Sequence, residues 1–373
     1  LNKYKLYRST KPISDTATVG LVTDTLGAKT LSYKDSGLTN LTRYYYRIKS
    51  VNSSGVESGF SNELSARPNT PPSAVDSVLV QNGPRLNYIS WSASKSSPVK
   101  YRVYRGTTKN NLQVIRDTTS KLNYLDTGLT AWKTYYYAIR AIDTVGVPSA
   151  YSSIKLGVPN NIWWVDTAGS DKNIGSRWST LLTIESAIGK AGSSSRDTIL
   201  VKAGLYKCNI DMFKKKVLIV SEMGAMKTIL EPKSKYSPVI KFENGETIES
   251  EISGFMVRNA NDARGVSVNS SKGVVRNMIF TNCGKNMDGI VSNHWGGVSY
   301  ENCLFVDNPG VVVNACYKDT NNNNGIVFNH CIFYNNGDFG RECSGAGPGK
   351  TQFYNCILWN NNKGVLNGDY WMQ

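Results

Sequence analysis

A repeat of about 25 residues in the last third of the chain most constrains what this sequence can fold into. Five short apolar strings begin at residues 254, 277, 302, 330 and 355, so that successive starts differ by 23, 25, 28 and 25 residues. One such repeat cannot bury its own apolar face, whereas stacked repeats bury a continuous interior. The pattern therefore predicts a parallel coil with three short strands per turn. The strings are GFMVRN, NMIFTN, NCLFVDN, HCIFYNN and NCILWNN.

In such a coil, equivalent side chains of successive turns stack into columns about 5 Å apart. The repeat predicts an inward aromatic column, an adjacent column of Met and Cys, and a polar column at the bend between strands, where asparagine tolerates a left-handed backbone. This placement favours a structural role for His330 over one as a catalytic base. The three columns comprise Phe280, Phe305, Phe333 and Leu358; Met278, Cys303, Cys331 and Cys356; and Asn277, Asn302, His330 and Asn355.

The same parity leaves an apolar stripe on the outside of the coil. A strand that is apolar on both faces is normally covered on both, and an uncovered apolar patch usually marks a partner surface. We therefore expect a protein partner or a neighbouring domain to pack there. The alternatives are that the parity is reversed or that loops of the same domain cover the stripe. Its predicted members are Met256, Ile279, Leu304, Ile332 and Ile357, followed on the same side by Tyr334 and Trp359.

Upstream of the repeat, WWVDTAGSDKNIGSRWSTLLTIESAIGKA and DTILVKAGLY precede the coil. Together with the coil they resemble the right-handed parallel β-helix of the pectin-lyase-like superfamily, in which a short helix caps the first turn. This resemblance implies such a β-helix over residues 159–373. We expect it to be truncated at its C-terminal end, because the coil stops within a turn. Ser179 is the expected N-cap of the capping helix. Its expected apolar face comprises Leu182, Ile184, Ala187, Ile188 and Ala191.

A longer repeat occupies the first 158 residues, where segments 5–10 and 33–61 match segments 102–107 and 124–152. Short alternating strands between turn residues are typical of a β-sandwich. The block resembles fibronectin type III domains. That resemblance implies a core Trp91 and two tyrosine corners, each formed by a leucine and the tyrosine six residues later. The corner pairs are Leu38 with Tyr44 and Leu129 with Tyr135.

The two copies differ in completeness. The first copy, residues 1–68, starts at its third strand, whereas the second, residues 69–158, has all its strands. We therefore expect an all-β chain with one incomplete and one complete sandwich, and an interior fragment of a longer polypeptide. A proline-rich linker at residues 68–72 is expected to be stiff. The sandwiches are interpreted as spacers in preference to ligand sites.

Charge and hydropathy exclude several function classes. The net charge is +15, and most of the excess lies in the first 160 residues. The longest basic run is Lys214–Lys216 and no nucleic-acid motif is present, so we predict no nucleic-acid partner and interpret the lysines as scattered over strand faces. No run of 18 apolar residues occurs, which argues against a membrane-spanning helix.

The sequence carries little evidence for a metal or redox site. Its seven cysteines include no CxxC pair. Cys316 and Cys343 lie in predicted loops, where a disulfide is the alternative to two free thiols. Asp166 and Asp171 could ligate calcium, but two carboxylates are too few and a role in a turn is preferred. No cofactor is predicted, with calcium as the weak alternative.

The resemblance implies that any catalytic residues lie on the outer faces of the coil. Lyases there need a carboxylate cluster for calcium and a basic residue, and inverting hydrolases need paired carboxylates. The strings GVSVN, GIVSN and GVVVN, with GVLN after them, predict an outward column that carries no charge: Ser267, Val291, Val312 and Leu366. The remaining candidates are Asp338, Arg341 and Glu342, with His294 nearby. An isolated ion pair of Arg341 with Glu342 is preferred over an acid–base set.

The preferred function is therefore a non-enzymatic, secreted or surface-attached bacterial protein. In this interpretation the sandwiches act as spacers, and the β-helix is an adhesive or assembly surface for protein or polysaccharide. Trp295, Tyr334 and Trp359 could stack on sugars or on protein. The main alternative is a secreted polysaccharide lyase or glycoside hydrolase. A tail-spike-like receptor binder is a third hypothesis, for which no trimerising segment is visible.

Overall fold

A computed structural model of the chain shows an all-β protein with a single short helix among its described residues, which confirms the predicted fold class. No helix in the described part of the chain is both long and apolar enough to cross a bilayer. The structure describes residues 1–14, 20–96, 99–193, 196–286, 289–316, 325–342, 351–362 and 371–372.

The described residues of the first repeat form one antiparallel four-stranded sheet. Leu6 faces Ile48 across the central strand pair. The Tyr44 hydroxyl accepts a hydrogen bond from the Thr39 backbone N–H at 3.0 Å, which confirms the first tyrosine corner. In sheet order the strands are β2 (Gly20–Gly27), β1 (Lys3–Ser9), β3 (Tyr44–Val51) and β4 (Leu64–Ala66).

The second repeat forms a two-sheet sandwich whose strands lie between Val78 and Gly157. It is called module 2 below. Trp91, Val103 and Ile139 are buried between its sheets, so the predicted core tryptophan is confirmed. The Tyr135 hydroxyl accepts a hydrogen bond from the Thr130 backbone N–H at 3.2 Å, which is the second predicted corner. One sheet contains β5 (Val78–Gly83), β6 (Leu86–Trp91) and β9 (Asn123–Thr127). The other contains β11 (Lys155–Gly157), β10 (Tyr135–Ile142), β7 (Lys100–Thr108) and β8 (Asn111–Thr119).

The C-terminal part is a parallel β-solenoid with three sheets, numbered by the order in which the chain visits them. The first sheet contains β12 (Ile162–Val165), β13 (Asp197–Val201), β16 (Val217–Ser221), β19 (Glu251–Ser253), β22 (Lys272–Arg276), β25 (Gly297–Glu301), β28 (Val327–Asn329), β31 (Gln352–Tyr354) and β33 (Trp371–Met372). The second contains β14 (Gly204–Cys208), β17 (Thr228–Pro232), β20 (Met256–Arg258), β23 (Ile279–Thr281), β26 (Leu304–Val306), β29 (Ile332–Tyr334) and β32 (Ile357–Trp359). The third contains β15 (Ile210–Asp211), β18 (Ile240–Phe242), β21 (Val266–Asn269), β24 (Val291–His294), β27 (Val311–Cys316) and β30 (Asp338–Glu342).

The predicted aromatic column is confirmed. Phe305 is fully buried, and its ring stacks on Phe280 at 4.7 Å and on Phe333 at 4.8 Å between centroids. A second buried aromatic column, which the sequence analysis missed, runs along the first sheet. There Phe328 stacks on Tyr300 at 4.9 Å, and its ring meets Phe305 edge-on at 5.9 Å. The two columns together fill the solenoid interior with interlocking rings.

The bends also follow the prediction. The polar column between the first and second sheets has φ of 53° at Asn277, Asn302 and Asn355 and of 55° at His330, all in the left-handed region. The adjacent thiols of Cys303 and Cys331 are buried, and each donates to backbone carbonyls inside the coil. The bend residues and the two thiols therefore have structural roles in the solenoid.

The capping helix is present as α1 (Ile184–Lys190), and it buries Ile184, Ala187 and Ile188 as predicted. Its N-cap is Thr183, so the prediction of Ser179 is wrong. Leu182 is exposed, which is a second error, and Leu181 is buried in its place. Thr183 takes the cap because its Oγ1 accepts from the Ser186 N–H at 3.2 Å.

Candidate functional site

The outer face of the second solenoid sheet carries the predicted stripe, called the outer stripe below. Each member pairs in register with the next through the parallel ladder. The structure also extends the stripe by two residues at its N-terminal end. The outer stripe is therefore one continuous aliphatic column across seven strands. Its members are Leu205, Ile229, Met256, Ile279, Leu304, Ile332 and Ile357.

Leu205 at the N-terminal end of the outer stripe is 45% exposed, and exposure falls along the middle members before it rises again at the C-terminal end. The middle members from Met256 to Leu304 are half-buried. Ile332 is 40% and Ile357 58% exposed, while the neighbouring outward positions Tyr334 and Trp359 are 42% and 69% exposed. Tyr334 and Trp359 lie opposite each other in the ladder. The last two turns thus present two aliphatic and two aromatic side chains, and their coverage by a partner stays a prediction.

A row of exposed polar residues, called the amide row below, borders the aromatic positions. The Asn360 Nδ2 donates to Asn335 Oδ1 at 3.2 Å, and the Asn335 Nδ2 donates to Asp307 Oδ1 at 2.6 Å. All members have φ between 50° and 60° and form the bend that follows the second sheet. The amide row therefore places fixed donors and acceptors directly beside exposed rings. Its members are Asn259, Asn282, Asp307, Asn335 and Asn360.

The outer face of the first sheet carries an alternating ladder of ion pairs. Glu251 pairs with Arg196 at 2.6 Å and with Arg276 at 3.0 Å, and Arg276 also contacts Glu301 at 2.7 Å. The hydrogen bond from Arg276 lowers the pKa of Glu301 below its ordinary value. The Glu301 carboxylate is thus held as a paired anion, which is the opposite of what a general acid requires.

The third sheet corrects the predicted outward column. Ser267 pairs with Ser292, which pairs with Asn314. Val291 and Val312 are fully buried, so their outward placement is wrong, and Leu366 lies outside the described residues. The prediction placed Val291 where Ser292 pairs with Ser267, and a one-residue slip moves a side chain to the opposite face.

The four catalytic candidates fall on the same sheet but not on adjacent strands. His294 lies on β24 opposite Cys316 of β27, whereas Asp338 lies on β30 opposite Val311 of β27. Two strand spacings of about 4.8 Å therefore separate their backbones across the sheet. Arg341 and Glu342 are also on β30, paired with Asn314 and Ala315, and their side chains lie outside the described part of the structure. An acid–base role for this set stays an untested prediction.

Trp295 lies apart from the exposed end of the outer stripe. It directly follows β24 of the third sheet, has φ of 57° and is 47% exposed. Tyr334 and Trp359 are instead on the second sheet. The structure therefore joins two of the three predicted sugar-stacking aromatics and leaves the third at another bend.

The two calcium candidates have other partners. Asp166 accepts from the Ala168 N–H at 3.0 Å and pairs with Lys202 at 2.9 Å; these contacts lower its pKa. Asp171 accepts from the Leu182 N–H at 3.0 Å and the Thr183 N–H at 2.9 Å. Both geometries fit the preferred role in turns. Within the described ranges, no group of three or more His, Cys, Asp or Glu residues is arranged to hold a metal ion.

The described cysteines are buried or half-buried free thiols. Burial raises the pKa of Cys283 to about 12, and the hydrogen bond with Cys303 raises that of Cys331 to about 12. Cys283 and Cys331 are therefore protonated and unreactive at neutral pH. The candidate disulfide of Cys316 with Cys343 involves side chains outside the described residues.

Comparison with known proteins places only parts of the chain. No protein-family model matches it. It is 34% identical to exoglucanase B of Cellulomonas fimi over 137 residues, which are 34% of this chain and 12% of that enzyme. The chain thus spans about an eighth of the length of this curated relative.

Solved structures resemble it at lower identity. An Fn3-like protein from Clostridium thermocellum is 21% identical, with a TM-score of 0.22, over 24% of this chain and 95% of that one. The FN1–FN3 domains of chicken CNTN1 are 17% identical, with a TM-score of 0.27, over 42% of this chain and 56% of that one. The architecture described above is that of a modular all-β protein, in which a four-stranded sheet and a two-sheet sandwich precede a parallel β-solenoid.

Proposed function

We propose that this chain belongs to a non-enzymatic extracellular bacterial protein whose solenoid binds polysaccharide. The binding face is the exposed end of the outer stripe, formed by Ile332, Tyr334, Ile357 and Trp359. The observation that carries the proposal is the pair of exposed aromatic rings in register on adjacent strands. The pectin-lyase-like kinship of the solenoid belongs to the same proposal.

The chemistry of the binding face matches a sugar chain. A pyranose ring presents apolar C–H faces and a polar rim of hydroxyls, so it needs flat apolar surface beside fixed donors and acceptors. Tyr334 and Trp359 supply the surface, and the adjacent Asn335 and Asn360 supply the polar groups. Ligand sites commonly combine apolar surface with a few well-placed polar groups. The alternative is a protein partner on the same stripe. An apolar protein surface would leave the donors and acceptors of the amide row without hydrogen-bond partners.

The similarity to exoglucanase B supports a carbohydrate-related role. Exoglucanase B acts on a glucan by its name, and the two chains share a 137-residue segment. A polysaccharide-binding role, secretion and fibronectin type III-like spacers agree with that context. Attachment to the cell surface is also part of the proposal.

The solenoid carboxylates favour binding over cleavage. Glu231, Glu251 and Glu301 each pair with arginine on the outer faces, at distances from 2.6 to 3.0 Å. We therefore expect no unsaturated product and no new reducing ends when the chain is incubated with pectate, alginate or glycosaminoglycan. Ultraviolet absorbance from unsaturated product, or a steady release of reducing sugar, would establish the lyase or hydrolase alternative instead.

Trp359→Ala and Tyr334→Ala are each expected to weaken polysaccharide binding about fivefold or more, because each removes one stacking ring worth about 1 kcal/mol or more. The measurement is affinity electrophoresis in gels containing soluble cellulose derivative, β-1,3-glucan or xylan. Trp178→Ala is the matched control, since it removes an exposed tryptophan that is not on the binding face. Absence of retardation on all three polysaccharides, or an equal loss in the control, would contradict the proposal.

A further inference from the structure

The segment that connects module 2 to the solenoid is held by backbone hydrogen bonds on both sides. The Asn160 N–H donates to the Gly83 carbonyl at 3.0 Å, and the Arg85 N–H donates to the Asn160 carbonyl at 2.7 Å. The Trp132 N–H donates to the Pro159 carbonyl at 2.7 Å. Pro159 and Asn160, which connect module 2 to the solenoid, are therefore hydrogen-bonded to the turn between β5 and β6 and to the tyrosine-corner loop.

A side chain of module 2 also reaches into the solenoid. Arg85 forms a two-pronged ion pair with Asp197, in which its Nη1 lies 2.6 Å from Oδ2 and its Nη2 contacts Oδ1. Asp197 begins β13 and is fully buried. Its Oδ2 also accepts from the Trp163 Nε1 at 2.9 Å and from the Gly192 N–H at 2.9 Å. One buried carboxylate thus joins module 2, the first solenoid strand and the end of the capping helix.

The charge balance shows why Arg85 matters to the solenoid. Burial alone would raise the pKa of Asp197, but hydrogen bonds from Arg85, Trp163 and Gly192 outweigh it and lower the pKa. A buried carboxylate without its cationic partner is strongly unfavourable. Arg85 in addition has φ of 52°, a conformation that a long side chain adopts only where its surroundings fix it.

We infer that module 2 is a fixed N-terminal lid of the solenoid, clamped by the Arg85–Asp197 pair, and that it opens together with the first solenoid turn. It is not a mobile spacer at this joint. A rigid joint would also fix the direction of the outer stripe relative to module 2. The inference does not depend on what the outer stripe binds.

The test is amide hydrogen exchange on the whole chain, read by mass spectrometry. In the wild type, the amides of Arg85, Trp132 and Asn160 should exchange as slowly as those of the first solenoid strands. Arg85→Ala should accelerate exchange at these amides by about tenfold or more, because their local opening no longer breaks the buried pair. Arg85→Lys should give an intermediate acceleration, since lysine keeps the charge but loses the two-pronged fork.

Arg102→Ala is the matched control within module 2. Arg102 pairs with Asp117 at 2.7 Å, but Asp117 is largely exposed, so exchange at the joint should stay at the wild-type rate. If Arg85→Ala does not fold, the lysine variant decides the question. Fast exchange at the joint in the wild type would overturn the inference. Wild-type exchange rates at the joint in Arg85→Lys, and in Arg85→Ala where it folds, would also overturn the inference. So would an equal acceleration of exchange in Arg102→Ala.

Discussion

Phe305→Ala is expected to destabilise the solenoid by about 4 kcal/mol, the middle of the range for truncating a buried phenylalanine. Its ring is sandwiched between Phe280 and Phe333 at 4.7 and 4.8 Å and touches the second aromatic column edge-on. Removing it leaves a cavity bounded by rigid strands on all sides, which cannot collapse to fill it. Urea unfolding monitored by far-ultraviolet circular dichroism measures the loss.

The matched control is Ile332→Ala, in the next turn of the same sheet but on its outer face. Ile332 is 40% exposed, so its truncation should cost about 1 kcal/mol or less. Because each solenoid turn is stabilised mainly by its neighbours, Phe305→Ala should also separate the unfolding of the later turns from that of the earlier ones. Equal losses in the two variants would mean that the inward and outward columns are misassigned.

The aromatic column could be predicted because the same residue type recurs at nearly constant spacing. Phe280, Phe305 and Phe333 each follow an inward Met or Cys by two positions, so one alignment fixes all three turns. The bend asparagines follow for the same reason. Because identical residues of successive repeats stack in adjacent turns, the spacing in the sequence predicts which side chains contact each other.

The third sheet could not be predicted in the same way. GVSVN and GIVSN look alike, yet the structure pairs Val266 with Val291 and not Gly265 with Gly289. Valine recurs at neighbouring positions in these strings, so matching by similarity leaves the register ambiguous by one residue. The polar column of Ser292 and Asn314 was missed for this reason.

The joint between module 2 and the solenoid was missed because its residues are remote in sequence. Arg85 and Asp197 are 112 positions apart and belong to neither repeat pattern. Only the fold brings the β5–β6 turn to the end of the first solenoid sheet. Contacts of this kind carry no local signal in the sequence.

Both fibronectin type III-like copies contain the same Arg–Asp–Tyr network. In module 2, Arg105 Nη1 lies 2.8 Å from Asp126 Oδ1, and the Tyr137 hydroxyl donates to Asp126 Oδ2 at 2.7 Å. Asn87 Nδ2 in turn donates to the Tyr137 hydroxyl at 3.0 Å, which links the two sheets. Burial and the bond to Asp126 raise the pKa of Tyr137, so this phenol stays neutral. The first copy repeats the network with Arg8, Asp35 and Tyr46.

Asp126→Ala is therefore expected to destabilise module 2 by about 3 kcal/mol, since it leaves Arg105 and the buried Tyr137 hydroxyl without their shared acceptor. Thermal and urea unfolding of the whole chain measure the loss, with hydrogen exchange at the β7 and β10 amides reporting on module 2. Asp117→Ala is the control, because its exposed pair with Arg102 should contribute less than about 1 kcal/mol. Tyr137→Phe should cost less than Asp126→Ala, since it removes one hydroxyl and leaves the ion pair intact. If Asp126→Ala unfolds like the control, the network is not what joins the two sheets.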